Sequence, residues 1–171
     1  MPLEVQFAAP ELRRLDASRA DALVLTIFED ERPLRGASGL VDWRLCGRIS
    51  HLLAEGRITG KRGETTLLPP RPRLPFDRLV LYGLGPADEF DDDVCVGALG
   101  AIFDTFTSLR SRTCLLAVPG RATGRLRPER ALDLLFDAVR GRDGQDAVTL
   151  LEPFAAQKVM LPLLEKRKKR R

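Results

Sequence analysis

The chain has 171 residues, and 44% of them are hydrophobic, which is enough to bury one substantial core and predicts a single domain. Its longest apolar runs, residues 22–28 and 114–118, are far shorter than the roughly 20 residues that a membrane-spanning helix requires, and no basic segment followed by an apolar one opens the chain. The composition argues against a membrane span, and we expect a cytoplasmic protein.

The positive charge is concentrated at the C-terminus. The formal net charge is +4, but removing the last six residues from the 28 basic side chains leaves 22, against 24 acidic ones. We predict a domain over residues 1–165 and a disordered basic tail over residues 166–171, because like charges repel. Such a tail can bind nucleic acid or another polyanion, and a solubilising role is the alternative. The tail consists of Lys166, Arg167, Lys168, Lys169, Arg170 and Arg171.

Predicted strands and helices alternate along the chain. Apolar runs predict strands over residues 22–28, 65–68, 79–82, 113–118 and 147–151. Helical spacing and capping residues predict helices from Ser38 to Gly56, from residue 94 to Leu109, from Pro128 to Gly141, and around residues 159–164, where Pro162 should introduce a kink or delay the start. This alternation favours a mainly parallel or mixed sheet with helices on both faces.

Few residues are candidates for metal or covalent chemistry. Cys46, Cys95 and Cys114 are widely spaced and form no C-x-x-C pair, so we interpret them as small core residues rather than as disulfide or zinc ligands. His51 lies among apolar residues of a predicted helix, and we assign it no function. The three acids at 91–93 fit a helix N-terminus better than a metal site. We expect no metal, no cofactor and no catalytic residue.

Three segments carry a family resemblance. They are residues 21–28 with the acids that follow, the segment GKRGETTLLP at 60–69, and residues 79–85 followed by Glu89 and Phe90. In their order and spacing, over residues 16–120, the chain resembles the N-terminal domain of the leucine aminopeptidases, the M17 metallopeptidase family. The resemblance implies a macro-domain-like α/β fold, in which a mixed sheet is flanked by helices in three layers.

The resemblance also implies where peptidase chemistry would lie. In that family a larger C-terminal domain holds two metal ions through carboxylates and a lysine, and uses them to activate water. The chain ends where we expect that domain to begin, and it contains no H-E-x-x-H and no N-T-D-A-E-G-R-like segment. We therefore expect no aminopeptidase activity.

The turn at residues 83–85, Gly-Leu-Gly, raises the question of a nucleotide site. A dinucleotide fingerprint requires a third glycine three residues after the second, and Asp88 stands there. The nearby acids would repel a pyrophosphate and Pro86 removes a backbone donor, so a structural turn is the favoured interpretation. Macro-like domains in general can bind ADP-ribose. The candidate residues for such a site are Gly83, Gly85 and Gly120.

A second set of candidates is basic. The stretch PGRATGRLRPER, residues 119–130, has a composition that can follow a phosphate backbone, although no aromatic residue interleaves with its arginines to stack on bases. Ordinary surface arginines at a helix entry fit the stretch equally well. The candidate nucleic-acid-binding residues here are Arg121, Arg125, Arg127 and Arg130.

Three functions remain open from the sequence. The favoured one is a non-catalytic interaction module that self-associates or docks on a partner protein, since the resembled domain helps to shape the aminopeptidase hexamer. The second is sequence-independent binding of DNA or RNA through the tail and the arginines, because some bacterial members of that family are DNA-binding factors. The third is ADP-ribose or nucleotide binding by the macro-like fold.

Overall fold

A computed structural model describes residues 3–169 as a six-stranded sheet between two layers of helices. The strands are β1 (Glu4–Ala8), β2 (Ala22–Ile27), β3 (Thr65–Leu68), β4 (Arg78–Gly83), β5 (Thr113–Leu116) and β6 (Ala147–Leu151). Their order across the sheet is β1-β6-β5-β2-β4-β3. The β3 strand runs antiparallel to β4, and the other neighbouring pairs are parallel. The predicted mixed α/β fold is therefore confirmed.

Helices cover both faces of this sheet. They are α1 (Leu12–Asp16), α2 (Gly36–Arg44), α3 (Arg48–Ala54), α4 (Asp92–Ser108), α5 (Pro128–Val139) and α6 (Phe154–Lys168), with a 3-10 turn at Ala87–Glu89. No helix among residues 3–169 is long and apolar enough to cross a membrane.

Each face of the sheet has its own apolar core, because successive strand residues point to opposite sides. Val24 of β2 belongs to the core that α4, α5 and α6 cover, where Met160 is fully buried. The next residue, Leu25, belongs to the core under α2 and α3, where Ile49 is fully buried. The continuous apolar run of β2 thus serves two cores at once.

The sequence predictions omit the first strand and the first helix. The β1 strand pairs with β6 at one edge of the sheet. Of its five residues Val5 is buried, whereas Glu4 and Gln6 are exposed. An edge strand with a single fully buried side chain lacks the continuous apolar run that identifies the central strands.

The helix predicted from Ser38 to Gly56 is in fact two helices. Cys46 has φ of +58° and Gly47 has φ of +77°, so the chain turns sharply between α2 and α3. The carboxylate of Asp42 then accepts hydrogen bonds from the amides of Ile49 (2.8 Å) and Ser50 (3.0 Å) at the start of α3. This side chain acts as a helix cap from a position seven residues upstream.

The last helix is longer than predicted at both ends. It begins at Phe154, so Pro162 does not delay its start but lies inside it. It continues to Lys168, and the prediction that residues 166–168 are disordered is therefore wrong. Lys169 follows the helix as a turn residue, while Arg170 and Arg171 lie outside the described residues.

A contact with α5 explains why the basic run can remain helical. The guanidinium of Arg167 donates to the carboxylate of Asp133 and lies 4.8 Å from the centre of the Phe136 ring. Basic residues in the last turn of a helix are also favoured by the helix dipole. Both effects offset the mutual repulsion on which the tail prediction depended.

Candidate functional site

The carboxyl edge of the sheet contains a cleft between β2 and β5. The chain passes from β2 to β3, at one edge of the sheet, and from β5 to β6, on the other side, so the connections after these neighbouring strands run in opposite directions. This is the topological position at which open α/β sheets usually bind ligands. The cleft has a volume of about 210 Å³, and the strand ends contribute Thr26, Phe28, Ala117 and Val118 to its walls.

Two loops close over this cleft. The loop after β5 approaches the start of α2 so closely that a Cβ added to Gly36 would lie 2.6 Å from the Cβ of Ala122. Pockets that hold drug-sized ligands usually measure about 300–1,000 Å³. As it stands in this structure, the cleft is too small for an ADP-ribose-sized ligand.

The polar groups in the cleft are already bonded to the protein. Glu31, which is only 9% exposed, accepts hydrogen bonds from the amides of Phe28 (3.2 Å) and Arg35 (3.1 Å). Burial raises the pKa of its carboxyl group, and these hydrogen bonds oppose the rise. Ser38 donates to the carbonyl of Thr26 (3.3 Å). Among the described residues no buried side-chain nitrogen or oxygen lacks a partner.

The glycine turn after β4 is bonded to the chain's own backbone. The amides of Gly83, Leu84 and Gly85 donate to the carbonyls of Glu64 (2.8 Å), Ile27 (2.8 Å) and Gly60 (2.9 Å), respectively. A Cβ on Gly83 would lie 2.7 Å from the Gly60 carbonyl carbon, and Gly85 has φ of +77°. None of the three amides is free for a phosphate, so the geometry supports a structural turn.

Gly120, the third candidate for a nucleotide site, faces an aromatic cluster. A Cβ there would lie 2.7 Å from Cζ of Phe90, whose ring packs edge-on against Phe28 with 5.4 Å between centroids. The guanidinium of Arg125 lies 5.8 Å from the centre of the Phe28 ring. Contacts with Phe28 and Phe90, which lie in two other loops, therefore hold the loop after β5 over the sheet.

Arg121 is partly buried and forms an ion pair, so it does not lie free on an exposed basic patch. Its guanidinium donates to both carboxylate oxygens of Glu152, at 2.9 and 2.8 Å, and to the carbonyl of Leu126. The two charged side chains are only 15% and 1% exposed, respectively. The sequence does not reveal this partner, which lies 31 residues away.

The other three arginines of this stretch are all exposed, but they differ in their ion pairing. Arg130 forms an ion pair with Asp92 at 2.7 Å, whereas Arg125 and Arg127 form none with another of the described residues. The structure therefore does not gather the four arginines of residues 119–130 into one free basic surface. At the end of α6 the exposed basic residues are Lys166, Lys168 and Lys169.

The candidates for metal or thiol chemistry are dispersed. No group of three or more His, Cys, Asp or Glu side chains within residues 3–169 is arranged to hold a metal ion. His51 is exposed and lies 3.2 Å from Glu55. Cys95 is buried as predicted, and burial raises the pKa of its thiol to about 12. Cys46 is exposed, contrary to the core position predicted for it.

A second, larger concavity surrounds an exposed tryptophan. Trp43, in the last turn of α2, is 70% exposed and borders an open groove of about 810 Å³. Arg44 fixes one side of it by donating to both carboxylate oxygens of Asp16, each at 2.9 Å, and to the carbonyl of Arg73 (3.3 Å). We call this concavity the Trp43 groove; its lining residues are Leu12, Pro33, Leu34, Gly39, Asp42, Trp43, Arg44, Cys46, Gly47, Ser50 and Arg73.

Sequence reasoning missed the Trp43 groove. The available signal is that Trp43 does not belong to the apolar stripe of its predicted helix, which contains Leu45, Ile49, Leu52 and Leu53. A large aromatic residue outside the buried stripe of a helix is a candidate contact residue. The groove itself depends on the turn at Cys46, which the periodicity of the helix does not indicate.

Comparison with solved structures places the fold in the macro-domain class. A Trypanosoma brucei macrodomain in complex with ADP is 15% identical and has a TM-score of 0.71, covering 94% of this chain and 69% of its own. A tomato leucine aminopeptidase mutant is also 15% identical, with a TM-score of 0.63, and the match covers 94% of this chain and 35% of that one. At these identities the likeness concerns the fold alone.

Sequence comparison identifies the family. The model of the cytosol aminopeptidase family, N-terminal domain, matches residues 24–133, and the chain belongs to this family, as the resemblance predicted. A probable cytosol aminopeptidase of Pseudomonas syringae pv. tomato is 31% identical over 118 residues, which are 69% of this chain and 23% of the relative. A probable cytosol aminopeptidase of Burkholderia orbicola is 35% identical over 91 residues, which are 51% of this chain and 18% of the relative. The chain thus spans about a fifth of the length of these curated relatives.

Proposed function

We propose that the chain is a non-catalytic interaction module that docks on a partner protein, or on a second copy of itself, through the Trp43 groove. The observation that carries the proposal is the 70% exposure of Trp43. Burying a tryptophan removes about 150–250 Å² from water, and tryptophan and arginine are among the residues most enriched at binding hot spots. A binding partner would bury the Trp43 side chain, which the fold itself leaves in water.

The shape and lining of the groove also suit a protein partner. Its volume of about 810 Å³ is nearly four times that of the cleft at the carboxyl edge. Leu12 and Leu34 are half-buried walls that continue into the core under α2 and α3, and Arg44 and Arg73 stand beside them. An apolar centre with aromatic and arginine side chains and a polar rim is the usual composition of a protein interface.

Family membership supports the same proposal. In the curated relatives the matched segment is about a fifth of a longer chain, so that a domain of this kind has neighbouring protein parts to contact. The described residues hold no arranged metal-binding group, and the proposal assigns them no step of peptide hydrolysis. The proposal places the aminopeptidase chemistry of the relatives in the segments of their chains that lie outside the match.

The two alternatives have weaker structural support. Binding of DNA or RNA would depend on exposed residues such as Lys166, Lys168 and Arg127, because Arg121 and Arg130 are already paired with carboxylates. Binding of ADP-ribose would require the cleft to open, because the loops that close over it leave only about 210 Å³. Neither alternative accounts for the exposure of Trp43.

Site-specific photo-cross-linking tests the proposed docking surface. We would replace Trp43 with p-benzoylphenylalanine, express the chain in its native host, irradiate the cells and identify the products by mass spectrometry. The matched control carries the same replacement at His51, which is exposed on α3 but does not line the groove. We expect a defined product from position 43 only, with the products distinguishing self-association from docking. Equal or absent cross-linking at the two positions would refute the proposal.

A further inference from the structure

We infer that the partner of the Trp43 groove presents an acidic segment with an apolar anchor residue. The inference rests on the proposed function and adds the chemical character of the partner. Its first support is the charge around the groove, because opposite charges across an interface select the partner and speed its association. Its second support is the apolar wall beside Trp43, which gives an anchor residue a place to be buried.

The carboxylate that lines the groove, Asp42, and the one that pairs with Arg44, Asp16, both have partners within the chain. Asp42 accepts hydrogen bonds from the amides of Ile49 and Ser50. Asp16 receives the bidentate guanidinium of Arg44. Neither carboxylate is therefore free to attract a basic partner.

One arginine of the groove has no such partner. Arg73 lines the groove and is exposed, and it forms no ion pair with another of the described residues. The other lining arginine, Arg44, is paired with Asp16. Among the described residues that line the groove, the charged side chain left without a counter-charge or hydrogen-bond partner is therefore the guanidinium of Arg73.

The apolar wall favours a peptide over single-stranded nucleic acid. Among the described residues that line the groove, Trp43 is the only aromatic one, and Pro33, Leu34 and Leu12 stand beside it. Single-stranded nucleic acid is usually held by several aromatic platforms on which successive bases stack. An aliphatic or aromatic side chain fits these walls, and Arg73 can contact a carboxylate of the same segment in bidentate fashion.

A second copy that used the same surface fits less well than an acidic partner. A two-fold symmetric contact brings the same patch of both subunits together. Each groove offers Arg73 as its unpaired charge, while Asp42 and Asp16 already have partners, so a second copy would supply no counter-charge across the contact. We therefore assign the groove to a different, acidic segment.

An unbiased peptide selection tests the inference. A random library of displayed dodecapeptides would be selected on the purified full chain and, in parallel, on Trp43→Ala, whose fold circular dichroism should show to be intact because the indole is largely exposed. We expect peptides lost with Trp43→Ala to be enriched in Asp and Glu around one aromatic or aliphatic residue. Trp43-dependent peptides that are neutral or basic would overturn the inference and leave the proposed docking function standing. Absence of any Trp43-dependent peptide would overturn the inference, and the cross-linking experiment would then decide the docking function by itself.

Affinity measurements with one selected peptide complete the test. We expect Trp43→Ala to weaken binding about 30-fold or more, since hot-spot truncations typically reach that size. Arg73→Glu should weaken it about tenfold and reduce its salt dependence, because it reverses a rim charge. The control is Arg127→Glu, an exposed arginine that does not line the groove, which should leave affinity unchanged. Equal effects of Arg73→Glu and Arg127→Glu, or tighter binding of oligothymidylate than of the peptide in a Trp43-dependent manner, would overturn the inference.

Discussion

Arg121 and Glu152 form a bidentate ion pair that joins the loop after β5 to the end of β6. The guanidinium donates to the two carboxylate oxygens at 2.9 and 2.8 Å, and the Glu152 side chain is almost completely buried. The amide of Glu152 also donates to the carbonyl of Ala8 (2.9 Å), in the edge strand β1. A single acidic residue thus connects three separate parts of the carboxyl edge.

Removing one member of this pair should strongly destabilise the fold. We expect Glu152→Gln to lower the free energy of unfolding by about 3–5 kcal/mol, because it leaves a largely buried guanidinium without its counter-charge. Asp137→Asn, which breaks the exposed pair with Arg140, is the control and should cost less than about 1 kcal/mol. Urea unfolding followed by circular dichroism measures both. Equal costs for the two variants would show that the Arg121–Glu152 pair contributes little.

Gly83 should not tolerate a side chain. Since a Cβ there would meet the backbone around Gly60, Gly83→Ala should cost about 1–3 kcal/mol through overpacking. Gly97 is exposed on α4, and a Cβ added to it would meet no atom within 4 Å, so Gly97→Ala should stabilise by up to about 1 kcal/mol through helix propensity. Thermal denaturation of the two variants should shift in opposite directions. A neutral Gly83→Ala would contradict the packed turn.

The stability contributed by Glu64 should depend on pH. Its carboxylate accepts hydrogen bonds from the amides of Thr59 (2.9 Å) and Gly60 (2.7 Å). Partial burial raises the pKa, but these hydrogen bonds outweigh it, and the pKa of Glu64 lies below its ordinary value of 4.5. The contribution is therefore fully present above pH 4.5 and is lost as the pH falls through the lowered folded-state pKa.

Glu64→Gln tests this pH dependence. At neutral pH the substitution should lower the free energy of unfolding by about 1–3 kcal/mol, as expected for hydrogen bonds to a charged group. The difference from the unsubstituted chain should narrow as the pH falls through the lowered pKa of Glu64, because the carboxylate then gains a proton and both side chains become uncharged. Urea titrations at neutral pH and at a series of lower pH values provide the comparison. A difference that stays constant with pH would mean that the charge of Glu64 is not involved.

ADP-ribose should not stabilise this chain. The closed cleft, together with the bonded amides of Gly83 and Gly85, leaves no place for its diphosphate. A ligand that binds the native state raises the melting temperature increasingly as its concentration exceeds Kd. We therefore expect no shift in thermal denaturation at millimolar ADP-ribose. A concentration-dependent rise would show that the loops around Gly36 and Ala122 open.

Any DNA binding should depend on the end of α6 and not on Arg121 or Arg130. In fluorescence anisotropy with a labelled duplex we expect weak binding at low salt that is lost at moderate salt, as counterion release predicts. Replacing Lys166, Lys168 and Lys169 with Gln should weaken it and reduce its salt dependence, while keeping the contact between Arg167 and Asp133. Arg130→Gln is the control and should leave it unchanged. If Arg130→Gln lost DNA binding and the triple lysine variant kept it, the binding would belong to Arg130 and not to the end of α6.

The central strands were predictable from the sequence, because a strand that is buried on both faces is a continuous run of apolar residues. Val24 and Leu25 enter different cores, so residues 22–28 form one apolar run in the sequence. The same reasoning does not reach β1, where Val5 alone is fully buried. It also does not separate α2 from α3, since the positive φ of Cys46 is an uncommon conformation for a residue other than glycine.

The charges available on the candidate sites were less predictable, because they depend on contacts between residues distant in the sequence. Arg121 looks like any loop arginine until Glu152 is brought beside it. Arg167 looks like part of a repelling charge run until Asp133 and Phe136 lie next to it. Spacing and composition describe what one segment can do, whereas a charge becomes neutralised or free only when the tertiary contacts form.

The position of Trp43 has a spectroscopic consequence. It is the single tryptophan of the chain, and with 70% of its surface in water the folded protein should emit at wavelengths close to those of the free indole. Intrinsic fluorescence will therefore report global unfolding poorly, and a stable, well-packed preparation can be mistaken for a denatured one. The same emission is well suited to detecting anything that covers the groove, because a shift to the blue would arise from a single known residue.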